Sequence, residues 1–314
     1  MAKMIPCNPY AYHVCGPKKL STPGVTEIFS SSWKDGDHKR KVLACFVQAV
    51  YLLELDRQGN RTPETALAPK WLEPSNYKLS QTLIDERDGS IFGAVLEWAG
   101  YAVLRPSGAP KAILALRGTL VCGATVRRDF TDDIRLFVSE NLEGSVRFTE
   151  TMKALKLSVD RFGDCNVCIA GHSLGAAFAI QVGKALAKKK VFIETHLFNL
   201  PSVSLGEKFG NVWNSFKSMF GENQTDEKVW ATIMKWSVHF YVNKKDFLCS
   251  RADTEVITNV SSSNSPAAKL FVNSKVEQTS SDAHGIQQWW EDDLMLKALP
   301  NSKLIDRHLK SLVS

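Results

Sequence analysis

Short apolar runs alternate with amphipathic stretches through the middle of the chain, from about residue 90 to residue 242. The stretches 145–162 and 174–188 place apolar side chains at helical spacing, and Gly163 is a suitable end for the first helix. The apolar runs have the length of buried strands and occupy residues 101–104, 112–116, 167–170, 191–200 and 236–242. This alternation predicts an α/β protein whose mostly parallel central sheet is flanked by helices.

The rest of the chain has a less regular pattern, and nothing in it resembles a second domain. Residues 40–55 predict one helix with an apolar face. Residues 206–235 predict a helical insertion, whose aromatic side chains favour core packing over a lipid-binding face. We therefore expect one domain over residues 1–314, with an N-terminal extension at 1–24.

The composition is that of an ordinary globular protein, with 44% hydrophobic and 23% charged residues. The net charge of +6 is not gathered into a basic stripe with interleaved aromatics, so we expect no nucleic-acid partner. No apolar run approaches the ~20 residues that span a bilayer, and the seven cysteines do not suggest a disulfide framework. These features predict a cytoplasmic protein without a transmembrane segment.

The segment Gly171-His172-Ser173-Leu174-Gly175 places a serine between a predicted strand and a predicted helix. A strand that turns sharply into a helix through Gly-x-Ser-x-Gly lifts the serine oxygen above the carboxyl edge of a parallel sheet. Glycines are needed because the backbone passes close to itself at such a turn. The first N–H groups of the helix also lie where negative charge would develop. The pattern predicts that Ser173 is the nucleophile of a serine hydrolase.

A serine nucleophile needs a histidine base, which in α/β-hydrolases comes after both the serine and the acid in the chain. Three histidines lie well beyond Ser173 and its helix. His239 falls in an apolar strand, as a core histidine does, and His308 falls in a polar helix. His284 falls in a loop just before a helix, where catalytic groups are often carried, so we predict that His284 is the base.

The acid is expected in a loop after a strand between Ser173 and His284. Asp246 directly follows the predicted strand 236–242, whereas Asp253 lies seven positions further along. We predict that Asp246 orients the histidine, with Asp253 as the alternative.

Five segments follow one another along the chain: 113–119, which ends in Arg-Gly-Thr, then 129–133, 171–177, 198–201 and 243–248. In this order they resemble the class 3 (fungal-type) lipases, a family of α/β-hydrolases. Two positions depart from that family's pattern, because Asn199 stands where members often have glycine and Cys249 stands where proline is usual.

The resemblance implies an α/β-hydrolase fold and cleavage of a lipid or other acyl ester through an acyl-enzyme on Ser173, with Asp246 and His284 completing the triad. It further implies an oxyanion hole formed by the backbone N–H groups of Thr119 and Leu174. Residues 120–128 would be a short, modestly apolar lid, so strong interfacial activation is not expected. Peripheral contact with a membrane stays open.

Residues 45–53 and 283–290 are similar to a branch of plant lipase-like proteins often labelled GDSL esterase/lipases. The chain contains no Gly-Asp-Ser-Leu block, so that label does not describe its own motif. Two alternatives to an ester hydrolase stay open. One is a catalytically silent lipase-like signalling or scaffold protein, and the other is an acyltransferase that uses the same triad.

No cofactor and no metal ion are expected from the motifs. Cys165 and Cys168 have metal-ligand spacing, but residues three apart on a strand point to opposite faces. The chain has neither a Gly-x-x-x-x-Gly-Lys-Ser/Thr phosphate loop nor a Gly-x-Gly-x-x-Gly segment after a strand.

Overall fold

The computed structural model describes residues 8–18, 32–120, 145–201, 232, 235–246, 248, 268–273, 279, 282–291, 294 and 296–300. Within these ranges an eight-stranded sheet has its strands in sequence order. The strands are β1 Tyr77–Asp85, β2 Ser90–Trp98, β3 Ala112–Leu116, β4 Val167–His172, β5 Glu194–Phe198, β6 Val238–Asn243, β7 Ala268–Asn273 and β8 Leu296–Pro300. The five strands β3 to β7 run parallel to one another. The hairpin of β1 and β2 extends the sheet beside β3, and β8 extends it beside β7, in both cases by antiparallel pairing.

Helices cover both faces of the parallel strands. The described α-helices are α1 Tyr12–Cys15, α2 Gly36–Gln58, α3 Pro69–Leu72, α4 Val146–Phe162 and α5 Leu174–Ala187. Short 3-10 helices lie at Ser32–Lys34, Glu73–Ser75, Ala102–Leu104, Asp164–Asn166 and Ile286–Trp290. None of the described helices is long and apolar enough to cross a membrane.

Two hydrophobic layers sandwich the sheet because successive strand residues point to opposite faces. On β3, Leu114 and Leu116 pack in the layer under α4 and α5, whereas Ile113 and Ala115 pack in the layer under α2. β3 and β4 are buried at every position, which explains their continuous apolar runs. The structure thus confirms an α/β protein with a mostly parallel sheet, an architecture compatible with the α/β-hydrolase fold.

The predicted strand at 101–104 is wrong. These residues form a 3-10 turn in which Tyr101 is 79% and Val103 87% exposed. The run lies between Gly100 and Pro106 in the connection from β2 to β3, so its apolar side chains have no sheet to pack against. Apolar content alone does not make a strand when the chain is turning on the surface.

The sequence pattern did not show the hairpin of β1 and β2. β1 buries few of its side chains, and its register against β2 shifts between Leu79 and Gln81 and again between Leu83 and Ile84. These irregularities break the period of two by which a half-buried strand is normally recognised.

Several predicted features lie mainly or wholly outside the described residues. Of the lid at 120–128 only Leu120 is described, and of the insertion at 206–235 only Thr232 and Lys235 are described. The segment 129–133 falls outside the described ranges, as do Cys249, Asp253 and His308. Of the N-terminal extension at 1–24, residues 8–18 are described. Each of these features stays a prediction.

Candidate active site

The candidate nucleophile lies at a sharp turn between β4 and α5. Ser173 has φ 53° and ψ −123°, a conformation that is unfavourable for a residue with a side chain. Its N–H donates to the Phe198 carbonyl at 2.9 Å, and its own carbonyl accepts from the N–H of Ala176 at 2.9 Å. Backbone hydrogen bonds therefore hold the strained turn in place, and the strand–turn–helix arrangement agrees with the sequence prediction.

Two glycines allow the turn to be this tight. A Cβ on Gly171 would collide with the backbone of Gly175 one turn later. A Cβ on Gly175 would come within 2.6 Å of the carbonyl oxygens of Leu116 and Arg117 at the end of β3. The Gly-x-Ser-x-Gly pattern is thus a requirement of close backbone approach on both sides of Ser173.

The Ser173 hydroxyl is buried, and the residue is 1% exposed. Its Oγ makes no hydrogen bond to any residue in the described ranges. The chain just after β3 passes close to Ser173. A Cβ added to Gly118 would lie only 2.9 Å from the Cβ of Ser173. Leaving a buried hydroxyl without a partner costs free energy, and such a group calls for an explanation in the site's chemistry.

The structure brings the predicted acid and base together. The Nδ1 atom of His284 lies 2.9 Å from Oδ2 of Asp246, whose side chain is fully buried. The other carboxylate oxygen accepts the N–H of Leu248 at 3.0 Å. Because a carboxylate only accepts, Nδ1 of His284 carries the proton, and neutral His284 keeps its lone pair on Nε2. This is the tautomer that a general base for a serine requires.

Asn199 holds this pair from the end of β5. Its Nδ2 donates to Oδ2 of Asp246 at 2.6 Å and to the carbonyl of Ala283 at 3.0 Å, while its Oδ1 accepts from Trp289 Nε1 at 2.6 Å. Its φ of 49° lies in the left-handed region, which glycine and asparagine tolerate best. Asparagine in place of glycine at this position therefore keeps the left-handed backbone and adds a hydrogen bond from its side-chain amide to the candidate acid.

Gln288 fixes the loop that carries His284. Its Nε2 donates to the carbonyls of Ala283 at 2.6 Å and Gly285 at 2.9 Å. Its Oε1 accepts from the side-chain amides of Asn243 at 2.7 Å and Asn273 at 2.9 Å. These amides lie at the carboxyl ends of β6 and β7, so the His284 loop is tied to two strands. The sequence analysis missed both Gln288 and Asn199 as supports of the site.

A second chain of hydrogen bonds runs from the end of β3 to the His284 loop. The N–H of Gly118 donates to the Tyr51 hydroxyl at 2.8 Å, which lies 2.8 Å from Nδ1 of His172. Nε2 of His172 lies 2.8 Å from the carbonyl of His284. Only one assignment satisfies every group: Nε2 of His172 donates to the carbonyl, and Nδ1 accepts from the hydroxyl.

Burial lowers the pKa of His172 well below its usual value, which keeps this ring neutral. Burial likewise raises the pKa of Tyr51 to about 12, so its hydroxyl stays protonated. The rings of His172 and His284 lie 5.0 Å apart between centroids. The candidate base thus packs against the residue that directly precedes Ser173.

The candidate oxyanion donors lie on the two elements that flank Ser173. Leu174 is the first residue of α5, where N–H groups have no acceptor within the helix and the helix dipole is positive. Thr119 follows β3, and its Oγ1 is buried without a hydrogen bond to a described residue. The N–H of Gly118 is already donated to Tyr51, so the N–H of Thr119 stays the candidate donor at this strand end.

The segment before Thr119 is braced by Arg117. Its Nε donates to the carbonyl of Ile91 at 2.6 Å, and its Nη1 donates to the carbonyl of Gly118 at 2.7 Å. Burial lowers the pKa of this guanidinium, but the group stays charged because an arginine pKa starts so high. The arginine of the Arg-Gly-Thr segment therefore holds the backbone and does not itself face a substrate position.

His239, the alternative base, lies elsewhere in the sheet. It pairs in register with His196 on β5, which in turn pairs with Ala170 on β4, three residues before Ser173. His239 is buried and lies 3.5 Å from Glu194. The structure thus agrees with its interpretation as a core histidine, and it adds a polar neighbour in Glu194.

Comparison with known proteins gives a relative across most of the chain. A protein named GDSL esterase/lipase from Arabidopsis thaliana is 29% identical over 332 aligned positions, which cover 87% of this chain and 95% of the relative. No model of a known protein family matches the chain. The chain is thus similar over nearly its whole length to a plant protein named as an esterase/lipase, and this similarity supports a relationship to plant lipase-like proteins.

Proposed function

We propose that this protein is a serine carboxylic ester hydrolase of the esterase/lipase kind, with Ser173, His284 and Asp246 as its triad. One observation carries the proposal: the His284–Asp246 pair packs against the residue next to a serine held in a strained strand–helix turn. Strain at a buried polar residue persists only where surrounding structure enforces it, and such residues cluster at functional sites. The name of the plant relative supports the same reaction class.

In the proposed reaction, Ser173 Oγ, which makes no hydrogen bond to a described residue, first moves within hydrogen-bond reach of Nε2 of His284. It then attacks the acyl carbonyl carbon while its proton passes to that nitrogen. The N–H groups of Thr119 and Leu174 stabilise the negative charge that develops on the carbonyl oxygen. Collapse of this intermediate expels the alcohol, which takes the proton from His284, and leaves an acyl-enzyme. Water then attacks the acyl carbon with His284 as base, which releases the carboxylic acid and restores Ser173.

We extend the proposal to the fold and the family. The nucleophile turn after β4 and the acid after β6 fit an α/β-hydrolase, in which catalytic groups gather at the carboxyl ends of parallel strands. The plant relative supports a lipase-like family but not the class 3 lipases in particular, so the class 3 resemblance rests on the sequence motifs alone. The substrate in this proposal is a lipid or another acyl ester.

The scaffold alternative has one observation in its favour. Ser173 is 1% exposed, so an ester reaches its hydroxyl only if the surroundings of the residue rearrange. A protein that never rearranges in this way would keep an intact triad without turnover. The acyltransferase alternative differs only in the acceptor, and it predicts that an added alcohol competes with water for the acyl group.

Hydrolysis of p-nitrophenyl esters with a graded series of acyl chains tests the proposal. We expect turnover by the full-length protein, and its loss in both Ser173→Ala and His284→Ala variants that unfold at the same urea concentration as the parent. Turnover that survives in both variants contradicts the triad. A folded parent protein with no turnover at any chain length supports the scaffold alternative.

A further inference from the structure

A second cluster of chemically active side chains lies at the amino ends of the parallel strands. Glu194 is the first residue of β5 and His196 the third, while His239 is the second residue of β6. The two strands are paired with His196 opposite His239, so both imidazoles and the carboxylate lie on one face of the sheet. The proposed triad leaves all three residues unused.

The distances in this cluster fit a metal ion. Nε2 of His196 lies 3.2 Å from Oε1 of Glu194, and Nε2 of His239 lies 3.5 Å from the same oxygen. All three ligand atoms lie within 4.8 Å of one another. A tetrahedral zinc site with ligand bonds of about 2.0–2.1 Å has edges of about 3.3 Å between ligand atoms. The carboxylate is therefore already spaced from each ring as a tetrahedral site requires.

The two imidazole rings stack on one another, and a hydroxyl lies beside one nitrogen of each ring. They stack at 4.4 Å between centroids with an angle of 14° between their planes. Nδ1 of His196 lies 3.0 Å from the buried Tyr241 hydroxyl, and Nε2 of His239 lies 3.2 Å from the Ser237 hydroxyl. A hydroxyl both donates and accepts, so Tyr241 satisfies Nδ1 of His196 whichever ring nitrogen carries the proton. Metal-binding histidines use such a partner on the second nitrogen.

The cluster opens into a cavity of about 500 Å³, which gives an ion a route to the ligands. Its lining includes Phe192, Phe271 and Cys165 besides the cluster itself. The charged side chains that face the cluster from neighbouring elements are Lys34 and Lys39, Asp164, Lys235 and Lys269. Water in this cavity could fill a fourth coordination position.

Besides the Ser237 hydroxyl on Nε2 of His239, a metal ion must displace Lys39. Its Nζ lies 2.9 Å from both carboxylate oxygens of Glu194, and the Glu194 side chain is 29% exposed. The four lysines of the cavity also disfavour a cation by like-charge repulsion. The ligand set therefore has to be one that binds strongly, and two imidazoles with a carboxylate select Zn²⁺ and related transition-metal ions over Mg²⁺ or Ca²⁺.

We propose that Glu194, His196 and His239 form a binding site for Zn²⁺ or a similar divalent transition-metal ion at the amino edge of the parallel strands. The ion takes Oε1 of Glu194 and Nε2 of each histidine. Lys39 swings away from the carboxylate, the Ser237 hydroxyl releases Nε2 of His239, and rotation of the stacked rings turns both nitrogens towards the ion. Such an ion links β5 to β6 and stabilises the folded chain by mass action. The site is separate from Ser173, so it stands whether or not the protein is an esterase.

Titration of the untagged full-length protein with Co²⁺ and with Zn²⁺ tests this site. We expect one Co²⁺ per chain with the visible absorption of tetrahedral nitrogen and oxygen ligands, displaced by Zn²⁺. His239→Gln and Glu194→Gln should bind at least 10-fold more weakly. Lys39→Met keeps every ligand and removes the competitor, so it should bind more tightly than the parent. Cys165→Ser and His284→Ala are controls that should bind as the parent does.

Three outcomes overturn the proposal. The first is no binding by the parent at millimolar metal. The second is a Lys39→Met variant that binds the metal ion no more tightly than the parent does. This test does not depend on whether the ligand variants fold. The third is a saturable rise in Tm with inorganic phosphate but not with Zn²⁺, abolished by Lys39→Met, which would make the cavity an anion site.

Discussion

The same five parallel strands carry an acid beside a histidine at both of their edges, and the two pairs are held differently. At the carboxyl edge, Asp246 and His284 come from loops, and the carboxylate is fully buried among donors. At the amino edge, Glu194 and His239 come from the strands themselves, and the carboxylate is shared with a lysine beside a cavity.

The difference shows what a strained serine turn adds to an acid–histidine pair. At the carboxyl edge the contact with Asp246 fixes the tautomer of His284, whose ring packs against His172, the residue before Ser173. Backbone hydrogen bonds hold the turn at Ser173. At the amino edge the described residues include no serine in a strained turn, and the histidines stack on one another. The first arrangement is suited to proton transfer, and the second is suited to holding an ion.

The two edges should respond most differently when a carboxylate is replaced by its amide. Asp246→Asn should lower kcat for a p-nitrophenyl ester by about 10⁴-fold, because an amide no longer selects the tautomer of His284. Asp164→Asn makes the same chemical change in the amino-edge cavity and should leave kcat unchanged. Equal losses in the two variants would mean that the edges do not differ in function.

Asn199→Gly should lower kcat by roughly 10- to 100-fold, because a hydrogen bond to a charged group contributes about 1.5–3 kcal/mol. Glycine keeps the left-handed backbone, so the variant removes the donor to Asp246 without adding strain. Asn76→Gly, at another left-handed asparagine with φ 56°, is the matched control and should keep full activity. An Asn199→Gly enzyme with parental kcat would show that this donor does not position the acid.

Tyr51→Phe should lower the free energy of unfolding by about 1–3 kcal/mol, because it leaves the buried N–H of Gly118 and Nδ1 of His172 without their shared partner. Urea unfolding measures this loss. Tyr101→Phe, at a position that is 79% exposed, should change stability little. The hydrogen-bond chain from β3 to the His284 loop is absent in solution if both substitutions have the same small effect.

Glu194→Gln should lower the free energy of unfolding by about 1–2 kcal/mol near pH 7, measured with a chelator present. Burial alone would raise the pKa of Glu194, but its contacts with His196 and Lys39 outweigh burial and hold that pKa well below its usual value. The stabilisation by the charged form is therefore complete above the usual glutamate pKa of about 4.3 and is lost as the pH falls below it.

Urea unfolding across pH checks this dependence on Glu194. The difference in unfolding free energy between the parent and Glu194→Gln should shrink as the pH is lowered from 5 towards 3, as roughly expected for a depressed carboxyl pKa. A difference that grows over this interval would mean that the carboxylate is destabilised in the folded protein.

The sequence predicted those parts of the site that rest on local pattern. β4, the turn at Ser173 and α5 follow from one continuous segment, and the pairing of Asp246 with His284 follows from their loop positions. The supports were not predictable in this way. Asn199 was seen only as a departure from glycine, because its amide meets Asp246 through folding of segments 47 residues apart.

The amino-edge cluster was missed for a related reason. His196 and His239 lie on separate strands, and their alignment depends on the register of β5 against β6, which no local pattern reveals. Each histidine alternates with apolar neighbours along its strand, a pattern that is typical of a core histidine. Glu194 at the strand start was the available signal, because an acid two residues before a buried histidine shares its face of the strand.

Covalent labelling of Ser173 tests the central claim most directly. A fluorophosphonate probe reacts with an activated serine, and mass spectrometry of the digested protein locates the adduct. The account predicts one adduct on the peptide that contains Ser173, none in Ser173→Ala, and greatly slowed labelling in His284→Ala. Equal labelling of the parent and Ser173→Ala, or an adduct on another residue, would contradict the assignment of Ser173 as the nucleophile.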